Sequence, residues 1–267
     1  MVKAQKKIDA VIPAGKSEIR KVHDFGANDK ARFPLNGKPM VEYVVEAVRA
    51  SELVGQIALT VPVGTDCSRL EDKVDKIFFT DRPLVENIEM AVRYLLDSDY
   101  ILLTSSDLPL LDSGVVDSFI RQCLAGGEAD LYYPITRKEE LLKEYPQTKR
   151  TFVRLKEGSF TGGNLALVRP EIILNNLKVF ERLYDQRKSP WGMARVIGLS
   201  CALKLLVGIL SIEEAEKRLS KLIRARGKAI ITREVEIGMD VDKKEDLILV
   251  RNALSIRERK EIPQASC

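Results

Sequence analysis

The sequence predicts an α/β fold with a parallel-cored sheet flanked by helices. Short, mostly apolar runs such as Ile8–Pro13 and Tyr100–Thr104 read as buried strands, and they alternate with longer segments of helical apolar spacing such as Val41–Ala50. That alternation is the pattern of βαβ units. No repeat, low-complexity stretch or linker rich in Pro, Gly or Ser breaks the 267 residues, so one domain over 1–267 is expected.

The elements follow in order. Ile8–Pro13 is a strand entering a glycine-containing loop, VEYVVEAVRA at Val41–Ala50 a helix, Gln56–Val61 a strand and Ile77–Thr80 a short third strand. Val85–Leu96 reads as a helix, YILLT at Tyr100–Thr104 as a strand, Ser113–Leu124 as a helix and Asp130–Pro134 as a strand. Lys138–Glu144 is a short helix. Phe152–Leu155 and Asn164–Val168 are strands around a loop at Lys156–Gly163, and Pro170 suits a helix start. An apolar helix is expected to run to about Leu210, followed by an amphipathic helix at Ile212–Arg226, a strand at Lys228–Thr232 and a last helix at Lys243–Arg257.

Composition excludes several classes. With 45% hydrophobic and 31% charged residues the chain has the apolar surface for a core and a well-solvated exterior. A net charge of +4 favours anionic small molecules over a dedicated nucleic-acid surface, so no nucleic acid partner is expected. Cys67, Cys123, Cys201 and Cys267 show no CxxC spacing, which argues against zinc and disulfide frameworks and fits a reducing cytoplasm. His23 is the one histidine, so the chemistry must rest on carboxylates, lysines and backbone. The amino terminus lacks an apolar core long enough for a signal peptide. Val196–Leu210 is shorter than the roughly 20 residues of a bilayer span. This apolar segment reads as core or subunit packing, the latter in a homodimer.

Two segments carry the first chemical signal. Val11-Ile12-Pro13-Ala14-Gly15-Lys16-Ser17 brings a strand into a glycine turn, where backbone N–H groups can hold phosphate oxygens, although it fits neither GxGxxG nor GxxxxGK[ST]. Pro34-Leu35-Asn36-Gly37-Lys38-Pro39-Met40 then leads into a helix, with Lys30 just before it. Further along are Thr104-Ser105-Ser106-Asp107-Leu108-Pro109, Thr161-Gly162-Gly163-Asn164 and Asp240-Val241-Asp242 with Glu245-Asp246-Leu247. Together, in this order, these segments resemble nucleotidyltransferases of the molybdenum-cofactor guanylyltransferase-like group over about residues 8–254.

The resemblance implies a GT-A-type, Rossmann-like fold: a mixed, mainly parallel sheet sandwiched by helices, with a helical insertion at about 170–226. Residues 8–134 would bind nucleotide, 135–254 the acceptor, and 255–267 would form a tail. It implies nucleotide contacts from Pro13, Ala14, Gly15, Lys16, Arg20, Lys30, Asn87 and Asp107, catalytic roles for Lys30 and Asp107, an acceptor pocket at Gly162, Gly163 and Asn164, and Mg²⁺ on Asp107, Asp240 and Asp242. The first loop departs from the family's Ala-Gly-Gly-x-Gly-x-Arg: Lys16, Ser17, Glu18 and Ile19 separate Ala14-Gly15 from Arg20.

The residues also carry plainer readings. Asn87 near a helix start could be a cap, and Gly162-Gly163 a hairpin turn. Asp242-Lys243-Lys244-Glu245 has capping-box spacing, with Glu245 reaching back, whereas Asp240 has no comparable structural role. Lys38 suits the cover of a helix turn. The expected reaction joins an NTP, GTP or CTP, to a phosphorylated acceptor such as molybdopterin, a sugar phosphate or an alcohol phosphate, with release of pyrophosphate. A phosphate monoester has a second pKa of about 6 and needs no general base, in keeping with the lack of histidine. Two alternatives stay open: a sugar-nucleotide glycosyltransferase using Asp240-x-Asp242, and a nucleotide-binding regulator that has lost catalysis.

Overall fold

The computed structural model describes residues 6–15, 33–186 and 195–261. Lys16, Arg20, Lys30 and His23 lie outside the described residues, as does Cys267. The described chain forms a mixed, mainly parallel sheet. Its parallel part is β5 (Lys76–Phe79), β4 (Ile57–Val61), β1 (Ile8–Pro13) and β6 (Tyr100–Thr104), in that order across the sheet. β10 (Leu165–Val168) is inserted antiparallel between β6 and β7 (Leu131–Arg137), and β11 (Gly227–Thr232) runs parallel to β7 along its other edge. The far half of β7 pairs instead with β9 (Gly158–Gly162), which forms a hairpin with β8 (Val153–Leu155). Because β10 opposes both β6 and β7, those two strands point the same way.

Alternate residues of the central strand feed opposite cores. Ile8, Ala10 and Ile12 share a core with α1 (Met40–Arg49) and α3 (Ser113–Ala125), whereas Val11 belongs to the cluster of α2 (Leu84–Tyr94), which extends along the sheet to α8 (Ile212–Ile223) on β11. A third cluster sits beyond the sheet. There Met239, Val241 and Val235 meet Leu110, the helix α4 (Lys138–Glu144) through Leu141, and the last helix α9 (Lys244–Glu261) through Leu247, Val250 and Leu254.

Polar groups fix the N-terminal edge. Asp9 is fully buried, accepts from the Gln56 N–H at 2.7 Å and the Ser98 hydroxyl at 2.5 Å, and lies 3.6 Å from the Lys7 ammonium. A buried charge is tolerable only when paired in this way.

Several expectations need correction. The loop expected at Lys156–Gly163 contains β9, whose Gly-Ser-Phe-Thr-Gly sequence has no apolar run although it pairs on both sides, with β7 and β8. The apolar helix expected up to Leu210 is, among the described residues, α7 (Leu199–Leu206) bounded by Gly198 and Gly208, whose φ values of 95° and 70° no helix can contain. Its leucines are not core: none of its residues is buried, and Leu206 is 81% exposed. The amphipathic helix ends at Ile223, before left-handed Arg224. A two-strand hairpin, β2 (Pro34–Leu35) with β3 (Lys38–Pro39), turns through Asn36-Gly37, both at positive φ. The connection from β10 to β11 is helical, through α5 (Pro170–Asn175), α6 (Leu177–Gln186), α7 and α8.

Gly162 and Gly163 differ in what surrounds them. A Cβ on Gly163 would lie 2.4 Å from Ile237 Cγ2 and 2.9 Å from Pro134 Cγ, both in the packed interior behind the hairpin. One on Gly162 would lie 2.4 Å from the phenol oxygen of Tyr133, a half-exposed side chain with room to move. Neither glycine forms the hairpin turn that its sequence suggests, since Gly162 ends β9 and Gly163 donates to the Pro134 carbonyl at 2.9 Å.

Two stability predictions follow from these contacts. Gly163→Ala should lose about 1–3 kcal/mol by overpacking and Gly162→Ala less than 1 kcal/mol, as read by urea unfolding; equal losses would contradict the geometry. Asp9→Ala should lose about 2–4 kcal/mol in the same measurement, since the Gln56 N–H and Ser98 hydroxyl lose a buried acceptor.

Candidate active site

Parallel strands β1 and β6 are paired in register from Ile8↔Tyr100 to Val11↔Leu103, so the segments that follow them emerge side by side at one edge of the sheet. Ligands of open α/β sheets bind at this carboxyl edge. From β1 come Pro13, Ala14 and Gly15; Ala14 is buried and its N–H donates to the Thr60 carbonyl at 2.8 Å. From β6 come Ser105, Ser106 and Asp107.

Asn87 stands beside the glycine turn. A Cβ on Gly15 would be 3.8 Å from its Nδ2. It is not a cap, since Pro83 holds the N-cap position of α2 without a side-chain bond. Instead its buried amide accepts from the Thr80 hydroxyl at 3.0 Å and donates to the Arg82 carbonyl at 3.1 Å, bracing the loop after β5 against β1. A cavity of about 230 Å³ opens at the same strand ends, between Ala14, Pro39, Val61, Glu42 and Arg69. The carboxylates described next do not line it.

Asp107, Asp240 and Asp242 meet: one carboxylate oxygen of each lies within 4.8 Å of the others. The Ser105 hydroxyl donates to Asp107 Oδ1, and the Asp107 carbonyl accepts from the Val241 N–H at 3.1 Å, which ties the end of β6 to the Asp240–Asp242 segment. That segment alternates like a strand. Met239 and Val241 are buried in the third core cluster, and the aspartates between and after them face the edge. Asp246, rather than Glu245, reaches back over the helix start. Its Oδ2 accepts from the N–H groups of Asp242 and Lys243 at 3.0 and 2.9 Å, while Glu245 is exposed.

Asn164 joins the cluster by three bonds. Its N–H donates to the Ile237 carbonyl at 2.9 Å, its carbonyl accepts from the Ser105 N–H at 3.0 Å, and its Nδ2 donates to Asp240 Oδ1 at 3.0 Å. Gly162 and Gly163 precede it, Gly163 buried against Ile237 and Gly162 exposed beneath the Tyr133 phenol. The Lys38 ammonium pairs with Glu46 and lies 4.0 Å from the centre of the Tyr43 ring, a position that covers the helix turn.

Two neighbours of the cluster escape sequence reasoning. Arg150, in the loop after α4, donates from Nη1 to Asp240 Oδ1 and from Nη2 to the Asp240 carbonyl, with the two side chains 11% and 16% exposed. Nothing in its polar surroundings, Tyr145-Pro146-Gln147-Thr148-Lys149, distinguishes it from a solvated arginine. Tyr133 leads up from β7, and its phenol is pushed above the usual tyrosine range by desolvation of the oxygen and then by the negative charge of Asp240. Its alternation in a β-run was the available signal.

The donor set suits a hard divalent cation. Oxygen atoms from carboxylates are what Mg²⁺ takes from proteins, with water and phosphate filling the other positions.

Known proteins share this architecture. A hypothetical transferase from Thermus thermophilus is 34% identical, with a TM-score of 0.78 over 90% of this chain and 99% of its own. CMP:2-keto-3-deoxy-manno-octonic acid synthetase complexed with CTP gives 0.61 at 16% identity, over 94% of this chain and 99% of that one. At that identity the likeness carries the fold alone. Among curated sequences, the 8-amino-3,8-dideoxy-manno-octulosonate cytidylyltransferases of Shewanella loihica and Shewanella sediminis are 33% and 34% identical over 125 residues, 42% of this chain. The chain spans about half the length of these curated relatives, 49% of each. The model of the MobA-like NTP transferase domain matches residues 11–190, two thirds of the sequence, and the chain belongs to that family.

Proposed function

We propose that the protein is a Mg²⁺-dependent nucleotidyltransferase, moving an NMP group from an NTP to a phosphorylated small molecule and releasing pyrophosphate. The observation that carries this reading is the meeting of Asp107, Asp240 and Asp242 beside the glycine turn at the carboxyl edge of the sheet. Family membership supports the reaction class. CTP is the first nucleotide to test, because the named relatives are cytidylyltransferases, with GTP next.

Each residue then has a task. Gly15 and Ala14 offer backbone at the phosphate edge, and Asn87 keeps that turn in place against the loop after β5. Lys16, Arg20 and Lys30 supply cationic charge for a triphosphate, Lys30 toward the phosphoryl group that is transferred. Asp107, Asp240 and Asp242 would hold Mg²⁺, which when bound neutralises phosphate charge and orients the reacting groups. Gly162, Gly163 and Asn164 shape the acceptor side, with Tyr133 above the first of them. An ionised phosphate acceptor needs no proton removed at neutral pH, so this histidine-poor chain has mainly to position two anions. Among the described residues no helix is long and apolar enough to cross a membrane.

The test is a matrix of NTPs against phosphorylated acceptors, with octulosonate-type sugar acids as a further row, read as pyrophosphate release with and without Mg²⁺. Release should need both substrates and the metal, and Asp107→Asn should lower kcat by about 100-fold or more with the fold retained. Silence across the matrix, or full activity in Asp107→Asn, overturns the proposal. Transfer from a sugar nucleotide without pyrophosphate would instead identify a glycosyltransferase.

A further inference from the structure

Among the described residues, Arg150 is a cation paired directly with the acidic cluster. Asp107, Asp240 and Asp242 bring three carboxylates within 4.8 Å, and the Arg150 guanidinium lies against the middle one with two of its nitrogens. It is nearly buried there, and its Nε is enclosed without a hydrogen-bond partner. Leaving a buried donor unsatisfied is unfavourable, so charge and the two Nη bonds hold this side chain in place against that loss. A guanidinium does not deprotonate in proteins, so the charge is permanent. Asp240 Oδ1 meanwhile accepts from both Arg150 and Asn164.

We propose that Arg150 is a positioning residue that sets the cluster's affinity for a divalent cation: its charge offsets one carboxylate and weakens binding of the bare ion. The cation is then retained only together with the anionic phosphates that accompany it, and is released when they leave. The inference rests on the proposed reaction only in expecting a cation at these carboxylates. A titration of the protein with Mn²⁺ alone, without nucleotide or acceptor, separates the two: failure of pyrophosphate release would not alter it.

The experiment measures free Mn²⁺ by electron paramagnetic resonance in the full-length protein and its variants, with near-ultraviolet circular dichroism to verify the fold. Arg150→Gln should bind Mn²⁺ at least about tenfold more tightly than the parent, because a unit charge at contact range is removed from a weakly screened site. Arg150→Lys keeps the charge and should stay within about threefold of the parent. A purely structural tether would give the opposite sign, since loosening Asp240 would weaken binding. Unchanged or weaker binding in a folded Arg150→Gln, equal tightening in Arg150→Lys, or no Mn²⁺ uptake by parent and variant alike at millimolar metal would each overturn the proposal. Should Arg150→Gln not fold, Arg150→Met carries the same test.

Discussion

The site depends on Asn164. This residue immediately precedes β10, the strand that enters antiparallel between β6 and β7, and three of its hydrogen bonds run to segments far away in sequence. Through its carbonyl it holds Ser105, two residues from Asp107; through its N–H it holds Ile237; through its amide it holds Asp240. An asparagine can do this because its side chain and backbone together offer donors and acceptors in several directions. Beside that junction, the Val241 N–H donates to the Asp107 carbonyl and joins the end of β6 directly to the segment before α9.

Apolar packing supplies the orientation that hydrogen bonds alone would leave loose. Met239 and Val241 are fixed in the third core cluster, so the residues alternating with them are turned outward, and those residues are aspartates. Arg257 of α9 reinforces the arrangement by donating to the Leu110 carbonyl and to Glu236, both at 2.8 Å. Burial holds the Glu236 carboxyl above its usual range, the expected result when a carboxylate is enclosed beside the residues it helps to fix. Closely set like charges are thus held at the carboxyl edge of the sheet by a frame of leucines, valines and methionine.

How much of this was legible in the sequence follows from what each signal requires. Strands β1 and β6 were plain because a run buried on both faces is apolar with little regard to partners, and the carboxyl end of β6 led directly to Asp107. β9 was hidden: a strand with one apolar residue between polar ones and glycines at both ends looks like a loop. Asp240 and Asp242 were legible as residue types, but their separation in role was not, since the capping bond that Glu245 was expected to make is made by Asp246. Arg150 was invisible because its burial depends on a partner 90 residues away, and a local pattern carries no record of such a contact. The bases of the first loop were named from the sequence but lie outside the described residues.

A site of this composition divides the electrostatic work between two poles. The net charge of +4 is modest, yet bases gather in residues 16–38 while carboxylates gather at 107, 240 and 242. Under the proposed reaction a polyphosphate would draw on both groups, on the bases for charge and on the carboxylates through the cation they would hold. Such a division of charge favours a chain of anions over a single one. It also requires that the acidic pole not be satisfied too early. An arginine already paired with Asp240 answers that requirement within the protein, which makes its charge, more than its shape, the feature that connects the fold to the chemistry at its edge.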